Sequence, residues 1–210
     1  MVRMNFPKTN LTKALCLSML MLSACSDPPK AEKAKQPEKP PEPLTGRQAF
    51  QRMYPQARVW ALDAQPLQLR SINLSQVKPE KGKAGAWQAI FVSPSRGKSK
   101  TWTYSAVEAE GNLHEGVFAG LEEDYGARGP AFPFEIAAIK FDSDQAYDAA
   151  AEKSLAYIKK NPDKPMSYLL EKTNRFPDPT WRVIWGESAS SSDYSMFVDA
   201  STGKVVEIAH

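Results

Sequence analysis

Four serines stand within five positions near the carboxyl end, Ser188, Ser190, Ser191 and Ser192, and Asp193 follows them. A serine hydroxyl becomes a nucleophile only with a base within hydrogen-bond reach. The chain has two histidines, and neither is well placed for that: His210 is the last residue, and His114 lies beside a distant turn. Gly186 to Ser190 reads GESAS, without the second glycine of a nucleophile elbow or its strand-to-helix setting. The flanks give a simpler account. Trp181-x-Val183-x-Trp185 and Tyr194-x-Met196-x-Val198 alternate as strands do, so the serines read as the loop of a hairpin.

Other chemistry is sparse. With two cysteines, Cys16 and Cys25, and no paired histidines, the chain has no zinc-ligand pattern. Carboxylates cluster at Glu122, Glu123 and Asp124, and at Asp142 and Asp144. They read as a solvated loop and a helix start, with a calcium site as the alternative. No glycine-rich phosphate loop appears. Trp181 and Trp185 point the same way on one strand and read as core, with an exposed binding platform as the alternative. No catalytic residue, metal ligand or cofactor is expected.

Cys25 is the exception. Arg3, Lys8 and Lys13 precede an apolar stretch, Ala14 to Ala24, that runs straight into Cys25. A bilayer-spanning helix needs about 20 apolar residues, so this stretch reads as a signal-peptide core. The residues Leu22, Ser23, Ala24 and Cys25 resemble the lipobox of bacterial lipoproteins. That resemblance implies diacylglyceryl transfer to the Cys25 sulfur and cleavage after Ala24. With Ser26 next, it implies an outer-membrane lipoprotein facing the periplasm. The expected partners are the bilayer, through acylated Cys25, and an envelope protein or peptide.

Processing changes the charge. The whole chain has 27 basic and 24 acidic residues, and loss of residues 1–24 leaves 24 of each. The basic pI therefore belongs to the signal segment, and no nucleic-acid partner is expected. Residues 25–43 follow as a tether rich in proline, lysine and glutamate. It has too little apolar surface to offset the entropy of ordering.

Residues 44–210 alternate between helical and strand patterns. Thr45 starts a short helix expected to end before Pro55, with strands over Ala57–Asp63 and Leu67–Leu74. Further strands are expected over Ala86–Val92, Lys100–Ala109 and Phe134–Phe141. Asp142 or Ser143 caps a helix whose buried face is read as Tyr147, Ala151, Leu155 and Ile158. Two segments echo each other: residues 87–117 and 181–208 both read aromatic strand, polar turn, Tyr-Ser, then Val-acid-Ala and a glycine turn.

The second copy, with DQAYDAA, WRVIW and YSMFVDASTGKVVEI, resembles the PepSY domain. The resemblance implies an α+β fold: antiparallel sheets, each packed by a helix, in two PepSY-like repeats behind the tether. The first repeat is expected at 44–120, a connector at 121–133 and the second repeat at 134–210. The family is linked to binding and to restraining exported peptidases, and it brings no catalytic residue. Structural or assembly lipoprotein, and cell-wall or peptide hydrolase, are the rival readings.

Overall fold

The structure is a computed structural model that describes residues 40–78, 80–126 and 129–209. Cys25, the signal segment, most of the tether and His210 lie outside the described residues. Lys39–His210 forms one compact unit, an antiparallel, sheet-rich α+β fold with few helices.

The chain opens with β1 (Leu44–Thr45) and α1 (Gly46–Trp60). It continues through β2 (Gln65–Ile72), β3 (Lys83–Ala84), β4 (Ala86–Ser93), β5 (Lys98–Ser105) and β6 (Gly116–Asp124). After β7 (Ala131–Phe132) and a 3-10 turn at Ile136–Ala138 come α2 (Ser143–Lys153) and α3 (Leu155–Lys160). Strands β8 (Met166–Thr173), β9 (Thr180–Trp185), β10 (Tyr194–Asp199) and β11 (Val205–Ala209) complete it. The main sheet runs β11-β10-β9-β8-β2-β4-β5-β6, with β7 on β8 and a separate β1–β3 pair. Two sheets were expected. The long strands of both halves instead join in one main sheet, because β2 and β8 pair antiparallel through Gln68–Glu171, Leu69–Leu170 and Arg70–Leu169.

Several boundaries differ from the sequence expectation. Helix α1 runs through Pro55 to Trp60, so Ala57–Trp60 is helix and not strand. Pro55 is exposed, and the buried stripe Ala49, Phe50, Met53 and Ala57 continues across it, so burial outweighs the lost hydrogen bond. Phe134–Phe141 is not a strand. Both neighbours of β8 are taken, and this segment instead hydrogen-bonds the β10–β11 turn, with Lys140 and Phe141 N–H donating to the Ala200 carbonyl. The expected single helix breaks at Ser154, whose hydroxyl turns inward to the Tyr194 hydroxyl and the Met196 sulfur. Its buried face is Ala146, Tyr147 and Ala150, while Leu155 is 59% exposed. Strand β6 reaches Asp124, so the expected connector at residue 121 begins inside a strand, and Glu122–Asp124 is sheet edge and not loop.

Each half of the unit places a helix before a four-strand meander, and small details recur. Thr45 and Asp142 both cap their helices in capping boxes, with Gln48 and Gln145 returning the bond. Trp87 Nε1 donates to the Leu44 carbonyl at 2.9 Å, and Trp181 Nε1 to the Phe141 carbonyl at 3.0 Å. Ala106 N–H donates to Gly85, and Ala200 N–H to Pro179. The matching Tyr-Ser pairs do not coincide, however. Tyr104 lies opposite Trp87, whereas Tyr194 lies opposite Trp185 and Val198 takes the place opposite Trp181, because Tyr104 follows Trp87 by 17 residues and Tyr194 follows Trp181 by only 13.

The core lies between the helices and one sheet face. Trp87, Phe91, Leu69, Trp181 and Trp185 meet Phe50, Met53 and Tyr147 there. The two helix starts also meet: Gly46 N–H donates to Ser143 Oγ, and Arg47 N–H to Asp142 Oδ1 at 2.8 Å. Asp142 Oδ1 also accepts from Ser143 N–H.

Candidate functional site

The serine run is a hairpin loop. Residues 186–193 join β9 to β10, whose pairs run from Trp185–Tyr194 to Thr180–Asp199. Ser188 Oγ lies 3.0 Å from Ser190 Oγ and 2.9 Å from Ser191 Oγ, so these hydroxyls satisfy one another. Asp193 accepts from Tyr157 and Lys164, which hold its carboxyl below the ordinary range. His114 Nδ1 contacts Glu108 at 2.6 Å beside β6. Strands β4, β2 and β8 stand between that hairpin and the serine hairpin. Among the described residues no histidine is therefore brought to the serines.

Trp181 and Trp185 are buried, at 0% and 2% exposure, and so are core. Among the described residues no group of three or more histidine, cysteine, aspartate or glutamate side chains is arranged to hold a metal ion. Asp142 belongs to the helix junction described above. Asp144 lines a shallow surface depression with Asp148, Glu80, Lys81 and Lys83. Glu122 pairs with Arg96 at 2.7 Å and accepts from Trp60 Nε1, which lowers its pKa, and Asp124 pairs with Lys98. Among the described residues no helix is long and apolar enough to cross a membrane.

Three surface features remain. The sheet face opposite the helices carries a groove of about 540 Å³, walled by Ser188, Ala189 and Ser190 and floored by Leu169 and Ile184, with Arg70 exposed beside it. The second is the edge of β6, whose only sheet neighbour among the described residues is β5. Phe118 is 45% exposed there and Leu121 87%. Its register with β5 is regular over Gly116–Ala119 and shifts where Gly120 and Leu121 form a bulge.

The third is an apolar cleft of about 330 Å³ beside α1. Arg47, Gln51, Tyr54 and Pro55 form its near wall, at the spacing of one helix flank. Ile136 and Ile139 face them, and Leu69, Leu170 and Trp181 close the bottom. Arg47 Nη2 donates to the Ile139 and Lys140 carbonyls, at 3.0 and 2.7 Å, which fixes the guanidinium across the mouth. Pro55 has no N–H for the Gln51 carbonyl. Sequence reasoning missed this cleft because it ended the helix before Pro55. A proline kept inside an amphipathic helix was the available signal. No protein-family model matches the chain, and neither does any curated protein or solved structure.

Proposed function

We propose that the chain is a non-catalytic lipoprotein of the bacterial envelope, anchored through acylated Cys25. In this reading its folded unit is a divergent pair of PepSY-like repeats that binds an extended segment of another envelope protein. The observation that carries the binding function is the edge of β6. Nine residues lie there beside a single sheet neighbour, with Phe118 and Leu121 turned to solvent. An extended segment laid along an open edge gains main-chain hydrogen bonds, and exposed apolar side chains add selectivity. The regular stretch Gly116–Ala119 takes the added strand, and the bulge at Leu121 limits its length. The recurring helix caps and tryptophan contacts support the pairing of repeats.

The test is a photocrosslinker at Leu121 in the native envelope, with mass spectrometry of what it captures. A discrete captured protein, lost when Phe118 is changed to Lys, is expected. Cys25→Ala should release the chain from membranes and stop the capture. Capture unchanged by Phe118→Lys would overturn the edge, and unchanged membrane fractionation of Cys25→Ala would overturn the anchor.

A further inference from the structure

The two halves differ most where the clefts beside their helices would correspond. Counting from the helix caps, Arg47 and Gln51 stand where Asp144 and Asp148 stand in the second half. Counting along the strands from Trp87 and Trp181, Leu69 stands where Tyr168 stands. The cleft of the second half is already occupied, by this chain's own backbone around Gly82. Gly82 N–H donates to the Tyr168 hydroxyl at 2.9 Å, and the Gly82 carbonyl accepts from Ser143 Oγ. The fit is close: a Cβ on Gly82 would lie 2.1 Å from Asp144 Cα. Lys81 and Lys83 flank the seated glycine, beside Asp144 and Asp148. A peptide segment therefore fills this position, and its charge opposes that of the helix.

Among the described residues the first-half cleft has no such occupant, because the β8–β9 connection, residues 174–179, is shorter than the β2–β4 connection that carries Gly82. Its helix charge is also reversed. Arg47 is the only charged side chain in the lining, and no acid accompanies it. Two of the five guanidinium N–H groups go to the Ile139 and Lys140 carbonyls. Nε and Nη1 make no hydrogen bond among the described residues. The Gln51 carbonyl, without an N–H from position 55, is an acceptor at the same wall. A cation with unused N–H groups, a carbonyl acceptor and an apolar bottom together match one ligand chemistry.

We propose that the cleft beside α1 binds the free carboxyl terminus of a peptide whose last side chain is apolar. The carboxylate takes an Nη1 N–H of Arg47 in a charge-assisted hydrogen bond. The N–H of the last residue donates to the Gln51 carbonyl. The side chain enters between Tyr54 and Ile136, above Leu69 and Leu170. The volume, about 330 Å³, suits one large side chain and sits at the small end of the range for ligand sites. This site is separate from the β6 edge and does not depend on it.

The test uses the purified chain and two probes, acetyl-Ala-Ala-Phe with a free carboxylate and the same peptide as its C-terminal amide, titrated by calorimetry. The acid should bind at least tenfold more tightly than the amide. Arg47→Gln should abolish that difference. Pro55→Ala restores an N–H that occupies the Gln51 carbonyl. It should weaken acid binding severalfold while raising the melting temperature, which a merely structural role for Pro55 would not do. Equal binding of acid and amide, no binding at millimolar probe, or unchanged affinity in Pro55→Ala would overturn the proposal. None of these outcomes alters what a crosslinker at Leu121 captures, so the edge reading stands or falls separately.

Discussion

Gly46 is the first residue of α1, and a methyl group there has nowhere to go. A Cβ built on its backbone lies 2.5 Å from Trp181 Cη2 and 3.3 Å from Trp87 Cη2. Both indoles are fully buried and meet edge to face, with centroids 6.3 Å apart. Neither can swing aside, because each Nε1 is tied to a backbone carbonyl. Gly46→Ala therefore overpacks the centre of the core, at a cost of about 1–3 kcal/mol. Alanine's helix preference returns less than about 1 kcal/mol. A net loss of about 1–2 kcal/mol should lower Tm by about 2–8 °C for a unit of this size. Urea unfolding of Gly46→Ala, Trp181→Phe and the double variant closes a mutant cycle. Trp181→Phe alone leaves a cavity and an unpaired Phe141 carbonyl, but it also removes the ring edge that the added methyl strikes. The two changes should thus be less than additive, by about 1 kcal/mol or more. Strict additivity would refute the argument that the glycine is required by the indole beside it.

Asp142→Ala should cost about 2–4 kcal/mol, because it removes a helix cap and strips Arg47 and Ser143 N–H of one shared acceptor; the urea midpoint reads it, and a change under about 0.5 kcal/mol would contradict it. Changing Ser188, Ser190 and Ser191 together to Asn should move stability by no more than about 0.5 kcal/mol, since these hydroxyls bond chiefly one another at the surface. Loss of a hydrolytic activity in a folded triple variant would instead restore the serine-enzyme reading. Asp63 accepts from the Ser93 hydroxyl and from Ser95 N–H, which hold its pKa down to about 2. A depressed carboxyl contributes stability above its unfolded value, near 3.9, and loses it as pH falls toward about 2. Its carbon NMR shift should therefore titrate near 2, and a midpoint near about 3.9 would show that Ser93 and Ser95 do not hold it.

The sheet was legible where one face is buried, because alternation then has a cause. Trp181, Val183 and Trp185 face the helices, and so do Trp87, Ala89 and Phe91. The hairpin around the serines followed from that alternation and the turn chemistry alone. What misled was local. Pro55 looked like a helix stop, but one unmade hydrogen bond at an exposed position weighs less than burying Met53 and Ala57 on either side of it. Phe134–Phe141 alternates like a strand, yet β8 is already flanked by β2 and β9, and the N–H groups of Lys140 and Phe141 go to the β10–β11 turn instead. Leu155 continued an apolar stripe that Ser154 interrupts by turning inward to Tyr194 and Met196. The cleft beside α1 was not legible at all. It draws on α1, the Ile136–Ile139 segment and three strands, and no single stretch of sequence contains its pattern.

The echo between residues 87–117 and 181–208 suggests two domains, but the contacts argue for one. Strands β2 and β8 would each be an open edge if the halves were apart, and here each covers the other. Trp87 and Trp181 touch across the same line, and Gly46 of one half is shaped to the indole of the other. The first-turn N–H groups of α1 find acceptors on Asp142 and Ser143, which belong to the cap and first turn of α2. Each half thus leaves unpaired backbone and an uncovered tryptophan that only the other half satisfies. Sharing also lets the two clefts differ. Once the junction supplies stability, neither cleft has to be filled for the fold to hold. One is closed by Gly82, and the one beside α1 is left open with Arg47 at its mouth.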